Sequence, residues 1–128
     1  MGKPITVLLA EDNEDLRAIM VSVLDAEADI RCVAQTGELD AVVELARAHA
    51  PSVIVLDIEL HGRSSLLSLP SLKKELPYAR ILVYSGHALP AIAQAALSAG
   101  ATEYMLKSGD PYELIDAVRR CGAGRPAQ

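Results

Sequence analysis

Glu11-Asp12, Asp57, Ser85 and Lys107 each follow directly on a short apolar run, although they are scattered along 128 residues. Brought together, three carboxylates, a hydroxyl and an ammonium form a set with definite chemistry. Three acids pressed close repel, and one rises in pKa unless a cation joins them. Hard oxygen donors with room for water suit Mg²⁺, or Mn²⁺ in its place, better than a softer metal. A carboxylate such as Asp57 can serve as ligand and as nucleophile, accepting a phosphoryl group as an acyl phosphate. The cation and Lys107 would then neutralise the phosphoryl oxygens during transfer. The Ser85 hydroxyl would hydrogen-bond an oxygen that was absent before.

The elements that must position these residues can be read from the hydrophobic pattern. ITVLLA (5–10), IRCVAQ (30–35), SVIVLD (52–57), RILVYS (80–85) and EYMLK (103–107) read as strands. Three of them are apolar with little alternation, as expected of parallel strands covered on both faces. Helical patterns separate them. Leu16, Ile19, Met20, Val23 and Leu24 keep the helical rhythm after Asn13, a predicted N-cap. Leu39, Val42, Val43 and Ala46 repeat it, and Pro90 to Ala99 is Ala-rich with Gly100 as a stop. Asp110-Pro111-Tyr112-Glu113 has the form of a capped start, an acid at N-cap with Glu at N3, and that last helix should end near Cys121-Gly122. Pro70 predicts either a short third helix beginning there or a kink. Strand and helix alternating five times predicts one α/β layer sandwich. In such sheets ligands bind beyond the carboxyl ends of the strands, where four of these five carry the residues named above.

Composition narrows the function classes. A net charge of −5 argues against a bare nucleic-acid-binding module, which needs a basic stripe. No apolar stretch approaches the roughly 20 residues of a membrane span. No basic segment followed by an apolar stretch opens the chain, so no secretory signal is read. Cys32 and Cys121 lack metal-type spacing and read as reduced thiols, which places the chain in the cytoplasm.

Each site residue also has a plain reading. An acid at a strand end is often a turn or cap residue, Ser85-Gly86 is by itself a turn signal, and a lone lysine ending a strand is normally solvated. The joint pattern is what favours chemistry.

LLAEDN, VIVLDIELHG, ILVYSGH and EYMLKSGDPYEL, in this order, resemble the response-regulator receiver domain over residues 4 to 122. The resemblance implies a doubly wound, flavodoxin-like three-layer sandwich: five parallel strands in the order 2-1-3-4-5 and five helices. Residues 1–122 would be the receiver and 123–128 a tail or the start of a linker. Asp57 would be the phosphoacceptor, charged by a histidine kinase, a phosphotransfer protein or a small phosphodonor. Asp12 would bind Mg²⁺ directly, Glu11 through water, and the Glu59 backbone carbonyl would complete the protein ligands. Ser85 and Lys107 would complete the catalytic set. Tyr104 matches the switch aromatic coupled to Ser85, with a half-buried strand tyrosine as the alternative. Glu59 and His87 occupy positions that tune hydrolysis of the acyl phosphate, although His87 facing solvent is the simpler expectation. SGH, the serine after Lys107 and the tail RRCGAGRP are similar to the LuxR/NarL-type subclass, whose receivers precede a helix-turn-helix. His61-Gly62 stands where the family often has Pro-Gly and is expected to loosen that loop.

The reading is a phosphorylation-dependent switch that changes partner affinity, homodimerisation included, and controls transcription through an output domain or partner. It catalyses only its own phosphotransfer and dephosphorylation, and this segment binds neither nucleic acid nor membrane. Alternatives are a pseudo-receiver that docks without phosphorylation and a phosphatase of the aspartyl-phosphate type. A mononucleotide-binding domain is weaker, because no Gly-rich loop follows the first strand.

Overall fold

The computed structural model describes residues 2–87 and 89–123. Residues 124–128, most of the stretch read as tail or linker, lie outside the described residues. Five strands form one parallel sheet: β1 (Ile5–Ala10), β2 (Ile30–Thr36), β3 (Val53–Asp57), β4 (Arg80–Ser85) and β5 (Glu103–Leu106), in the order β2-β1-β3-β4-β5. The central strands carry few polar side chains because both faces are covered. Leu8, Ala10, Ile54, Leu56, Ile81 and Val83 pack on one face, and Val7, Leu9, Val53, Val55, Leu82 and Tyr84 on the other. All are essentially inaccessible, and burying each large aliphatic side chain contributes about 1.5–3 kcal/mol.

Helices α1 (Glu14–Asp25) and α5 (Pro111–Gly122) cover the second face through Met20, Leu24, Leu114, Ile115 and Val118. The first face is covered by α2 (Val42–His49), α3 (Leu69–Glu75) and α4 (Pro90–Ser98), through Val42, Ala46, Leu69, Leu72 and Ala96. The caps expected from sequence are formed: the side chain of Asn13 accepts from the Leu16 amide, and that of Asp110 from the Tyr112 amide.

Three local readings are refined. The third helix begins at Leu69, with Pro70 in its first turn where no amide donor is needed, after a 3₁₀ turn at Ser65–Ser68. Glu113 does not return to the Asp110 amide. Its carboxylate takes the Ser108 hydroxyl at 2.6 Å, and the Ser108 oxygen accepts the Asp110 amide at 3.1 Å. The third correction concerns the segment after Asp57. Rather than a loosened loop, Glu59–Leu60 pairs antiparallel with Arg63–Ser64 in a short hairpin. His61 and Gly62, at φ 49° and 77°, supply the two left-handed residues such a tight turn needs.

Candidate functional site

Register brings the strand ends to one rim. Ala10 pairs with Leu56, Asp57 with Tyr84, and Ser85 with Leu106. The amide of Lys107 then donates to the Ser85 carbonyl at 2.7 Å, and that of Ile58 to the Tyr84 carbonyl at 2.9 Å. Glu11, Asp57, Ser85 and Lys107 therefore emerge side by side although they are dozens of residues apart in sequence.

The side chains meet as their types suggested. Lys107 Nζ lies 2.8 Å from Asp57 Oδ2 and 3.2 Å from Glu11 Oε1. Carboxylate oxygens of Glu11, Asp12 and Asp57 all fall within 4.8 Å of one another. Glu11 and Asp57 are buried, at 1% and 4% exposure, whereas Asp12 is half-buried at the mouth. Adjacent acids thus have different surroundings. Glu11 has both oxygens engaged: Oε2 accepts the Asn13 amide at 2.9 Å, and Oε1 accepts Lys107 and the Tyr84 hydroxyl, the latter at 2.5 Å. Asp12 Oδ2 accepts the His61 amide of the hairpin at 2.7 Å. Asp57 Oδ1 accepts the Glu59 amide at 3.1 Å.

Electrostatics follow from these contacts. Burial raises the Asp57 carboxyl above its ordinary value, and the hydrogen bonds from Lys107 and the Glu59 amide only partly oppose it. The His61 amide holds Asp12 below the usual carboxylate range. Burial pulls Lys107 down, but Asp57 and Glu11 outweigh that and leave the ammonium above its ordinary value. Burial, then the neighbouring Glu11 carboxylate, keep the Tyr84 hydroxyl protonated as a donor.

The donor set is made of hard oxygens, with no sulfur or nitrogen ligand among the clustered side chains. That composition, together with a partly open Asp12, fits a hydrated divalent cation such as Mg²⁺.

The remaining sequence-derived residues separate into two groups. Ser85 is fully buried and its Oγ accepts the His87 amide at 3.0 Å. Tyr104 is half-buried, and its hydroxyl donates to the His87 carbonyl at 2.7 Å. The loop at 85–87 thus links the serine to the tyrosine. Glu59 and His87, in contrast, are exposed, and their side chains are not among the groups held to the acids.

Several contributors went unread from sequence. Tyr84 is buried with Lys107 4.8 Å above its ring, within cation–π range. The one available signal was an aromatic in an otherwise aliphatic strand. Ser65 is fully buried, its hydroxyl donating to the Asp57 carbonyl and its amide to the Ile58 carbonyl at 2.8 Å, which fastens the hairpin's far end to the site. Arg17 Nη1 donates to the Glu11 carbonyl at 2.7 Å and occupies the space a side chain at Gly37 would need. Neither residue carries a local sequence cue for these roles.

Comparison with known proteins gives consistent matches. A family model described as the response regulator receiver domain matches residues 7–119. The chain is 34% identical over 125 residues to the uncharacterized transcriptional regulatory protein YvfU of Bacillus subtilis, covering 94% of this chain and 60% of that protein. It is 30% identical over 122 residues to the nitrate/nitrite response regulator protein NarL of Escherichia coli, covering 95% of this chain and 56% of that protein. The chain thus spans little more than half the length of these curated relatives. Among solved structures, the signal receiver domain of the putative response regulator NarL from Mycobacterium tuberculosis superposes with a TM-score of 0.89 at 28% identity, covering 97% of this chain and all of that one.

Proposed function

This chain belongs to the response regulator receiver domain family, and from that premise we propose that it is a switch set by phosphorylation of Asp57. The observation that carries the reading is the triple contact at the rim: Asp57 buried, paired at 2.8 Å with Lys107, and clustered with Glu11 and Asp12.

An Asp57 carboxylate oxygen attacks the phosphorus of a phosphohistidine or a small phosphodonor. An acyl phosphate forms, the donor's bond to phosphorus breaks, and its electron pair leaves with the donor. Asp12 and Asp57 would hold Mg²⁺, with Glu11 engaged through water and the Glu59 carbonyl as a further ligand. When bound, the cation supplies neutralisation of the phosphoryl charge. Lys107 follows the charge, exchanging its contact with Asp57 for one with a phosphoryl oxygen. The attacking group is held by Lys107 and by the Glu59 amide, so it is oriented before any donor arrives.

The readout runs through Ser85. Once a phosphoryl oxygen is present, the Ser85 hydroxyl has a better acceptor, and its movement displaces the His87 backbone. The Tyr104 hydroxyl loses or changes its partner there, and the surface around α4, β5 and α5 changes its affinity. His87 and Glu59, two residues beyond Ser85 and Asp57 and both exposed, tune how long the acyl phosphate lasts. The partner that charges Asp57 is a histidine kinase or phosphotransfer protein in the cytoplasm. The output is transcriptional, through a DNA-binding domain or partner, with dimerisation on phosphorylation as the coupling. The likeness to the transcriptional regulators YvfU and NarL supports that output. No described helix is long and apolar enough to cross a membrane.

The test is intact mass after incubation with a small phosphodonor and Mg²⁺. Wild type should gain one phosphoryl group, and Asp57→Asn none. Equal gain in both, or none in wild type, refutes the proposal.

A further inference from the structure

Tyr84 belongs to no element of the phosphotransfer scheme above, yet it is the residue most closely built into the acid cluster from beneath. Its ring lies in the core between β4 and the α1–α5 layer, 2% exposed. Its hydroxyl reaches Glu11 Oε1 at 2.5 Å and lies 3.5 Å from Met20 Sδ. Lys107 Nζ sits 4.8 Å from the ring centroid and 3.2 Å from that same Glu11 oxygen. One carboxylate oxygen therefore accepts from two donors, while the other is taken by the Asn13 amide.

We propose that Tyr84 is a positioning residue that restrains Glu11, holding its carboxylate back from the cation so that Glu11 acts through water rather than as a direct ligand. The inference rests on the phosphorylation reading for its cation and deepens it. Chemistry supports a restraint of this kind. A hydrogen bond to a charged carboxylate is among the stronger neutral-to-ion contacts, and it disperses charge that would otherwise face the metal. A phenol serves better than an ammonium here, because it holds the oxygen without adding charge beside Asp57. The rigid ring fixes the donor's place, and core packing prevents it from following Glu11 outward. The same ring offers its negative face to Lys107, keeping the ammonium where it spans both carboxylates.

Tyr84→Phe removes one oxygen and keeps the ring. Released from that donor, Glu11 presents more of its charge to the cation. The Mg²⁺ dissociation constant should fall about three- to tenfold, a fraction of the worth of a hydrogen bond to a charged group. In a Glu11→Gln background the same change should leave the constant unmoved within about twofold, because the neutral amide has no charge to release. Weaker or unchanged Mg²⁺ binding in Tyr84→Phe overturns the inference, as does an equal tightening in both backgrounds.

A second measurement needs neither that variant nor the metal. A tyrosine hydroxyl donating to a carboxylate absorbs to the red, so the near-ultraviolet difference spectrum of wild type against Glu11→Gln should show a tyrosine band shifted to the blue in the variant. An unshifted band overturns the inference. Failure of the wild type to take up a phosphoryl group, with the spectral shift present and Mg²⁺ binding tightened in Tyr84→Phe, would remove the function reading and leave the positioning of Glu11 standing.

Discussion

Replacing Lys107 with Met keeps most of the unbranched apolar stem and removes the one ammonium held between Asp57 and Glu11. Breaking a buried pair by removing one partner typically costs about 3–5 kcal/mol. Here the lysine is 28% exposed, so water already screens part of the interaction and the loss sits lower. Protonation limits it further: Asp57 is raised by burial even with Lys107 present, and without the ammonium it rises again. Taking up a proton then costs about 1.4 kcal/mol per unit that the pH exceeds the folded pKa. We expect a metal-free loss of about 2–3 kcal/mol at pH 7. The sign with pH follows from linkage. A carboxyl raised in the folded state binds its proton more tightly there than in the unfolded chain, so stability declines as pH rises from the unfolded pKa to the folded one. That decline is steeper in the variant, so its deficit should shrink to under about 1 kcal/mol at pH 4. Urea unfolding followed by far-ultraviolet circular dichroism in a chelator gives the comparison. With an m-value of about 1.5 kcal/mol/M, the midpoint at pH 7 should drop by about 1.5 M. Saturating Mg²⁺ should recover part of the difference, since a cation again faces the acids. An unchanged midpoint at pH 7, or a deficit that widens toward pH 4, would refute the reasoning.

Other consequences can be checked alongside. His61 sits at φ 49°, so His61→Val should cost about 1–2 kcal/mol in thermal or urea unfolding, whereas His61→Asn should be nearly neutral. Removing the N-cap of the last helix with Asp110→Ala should cost about 1 kcal/mol and leave phosphorylation of Asp57 intact by mass. Burial pushes the thiols of Cys32 and Cys121 up to about 12. Native protein should therefore react only slowly with a thiol reagent at pH 8, and both cysteines rapidly once unfolded in urea.

Much of the site was legible in the primary structure because its logic is local. Val53 to Leu56 are apolar for burial on both faces and Asp57 ends the run where the strand reaches the rim, so a five-residue window holds both statements. Asn13 and Asp110 announce helix starts for the same reason: an N-cap serves amides two or three residues away. The residue types at the ends of β1, β3, β4 and β5 could then be counted without any coordinates. Pro70 and His61-Gly62 were harder, since a proline fits the first turn as well as it starts one, and a two-residue turn becomes a hairpin only if its flanks pair.

Tertiary structure alone decided how those residues are housed. Nothing local separates Glu11 from Asp12, yet one is buried with both oxygens occupied and the other stands half-open beneath the hairpin. Tyr84 reads as a strand aromatic until it meets Glu11, 73 residues away in the chain. That meeting depends on the strand order, which sets β3 between β1 and β4, and on a register that places Asp57 opposite Tyr84. Strand and helix periodicities are short-range and survive in any topology. Which side chains share an oxygen is set by pairing across the whole chain, where a slip of one residue would turn Tyr84 to the opposite face of the sheet and leave Glu11 without its donor.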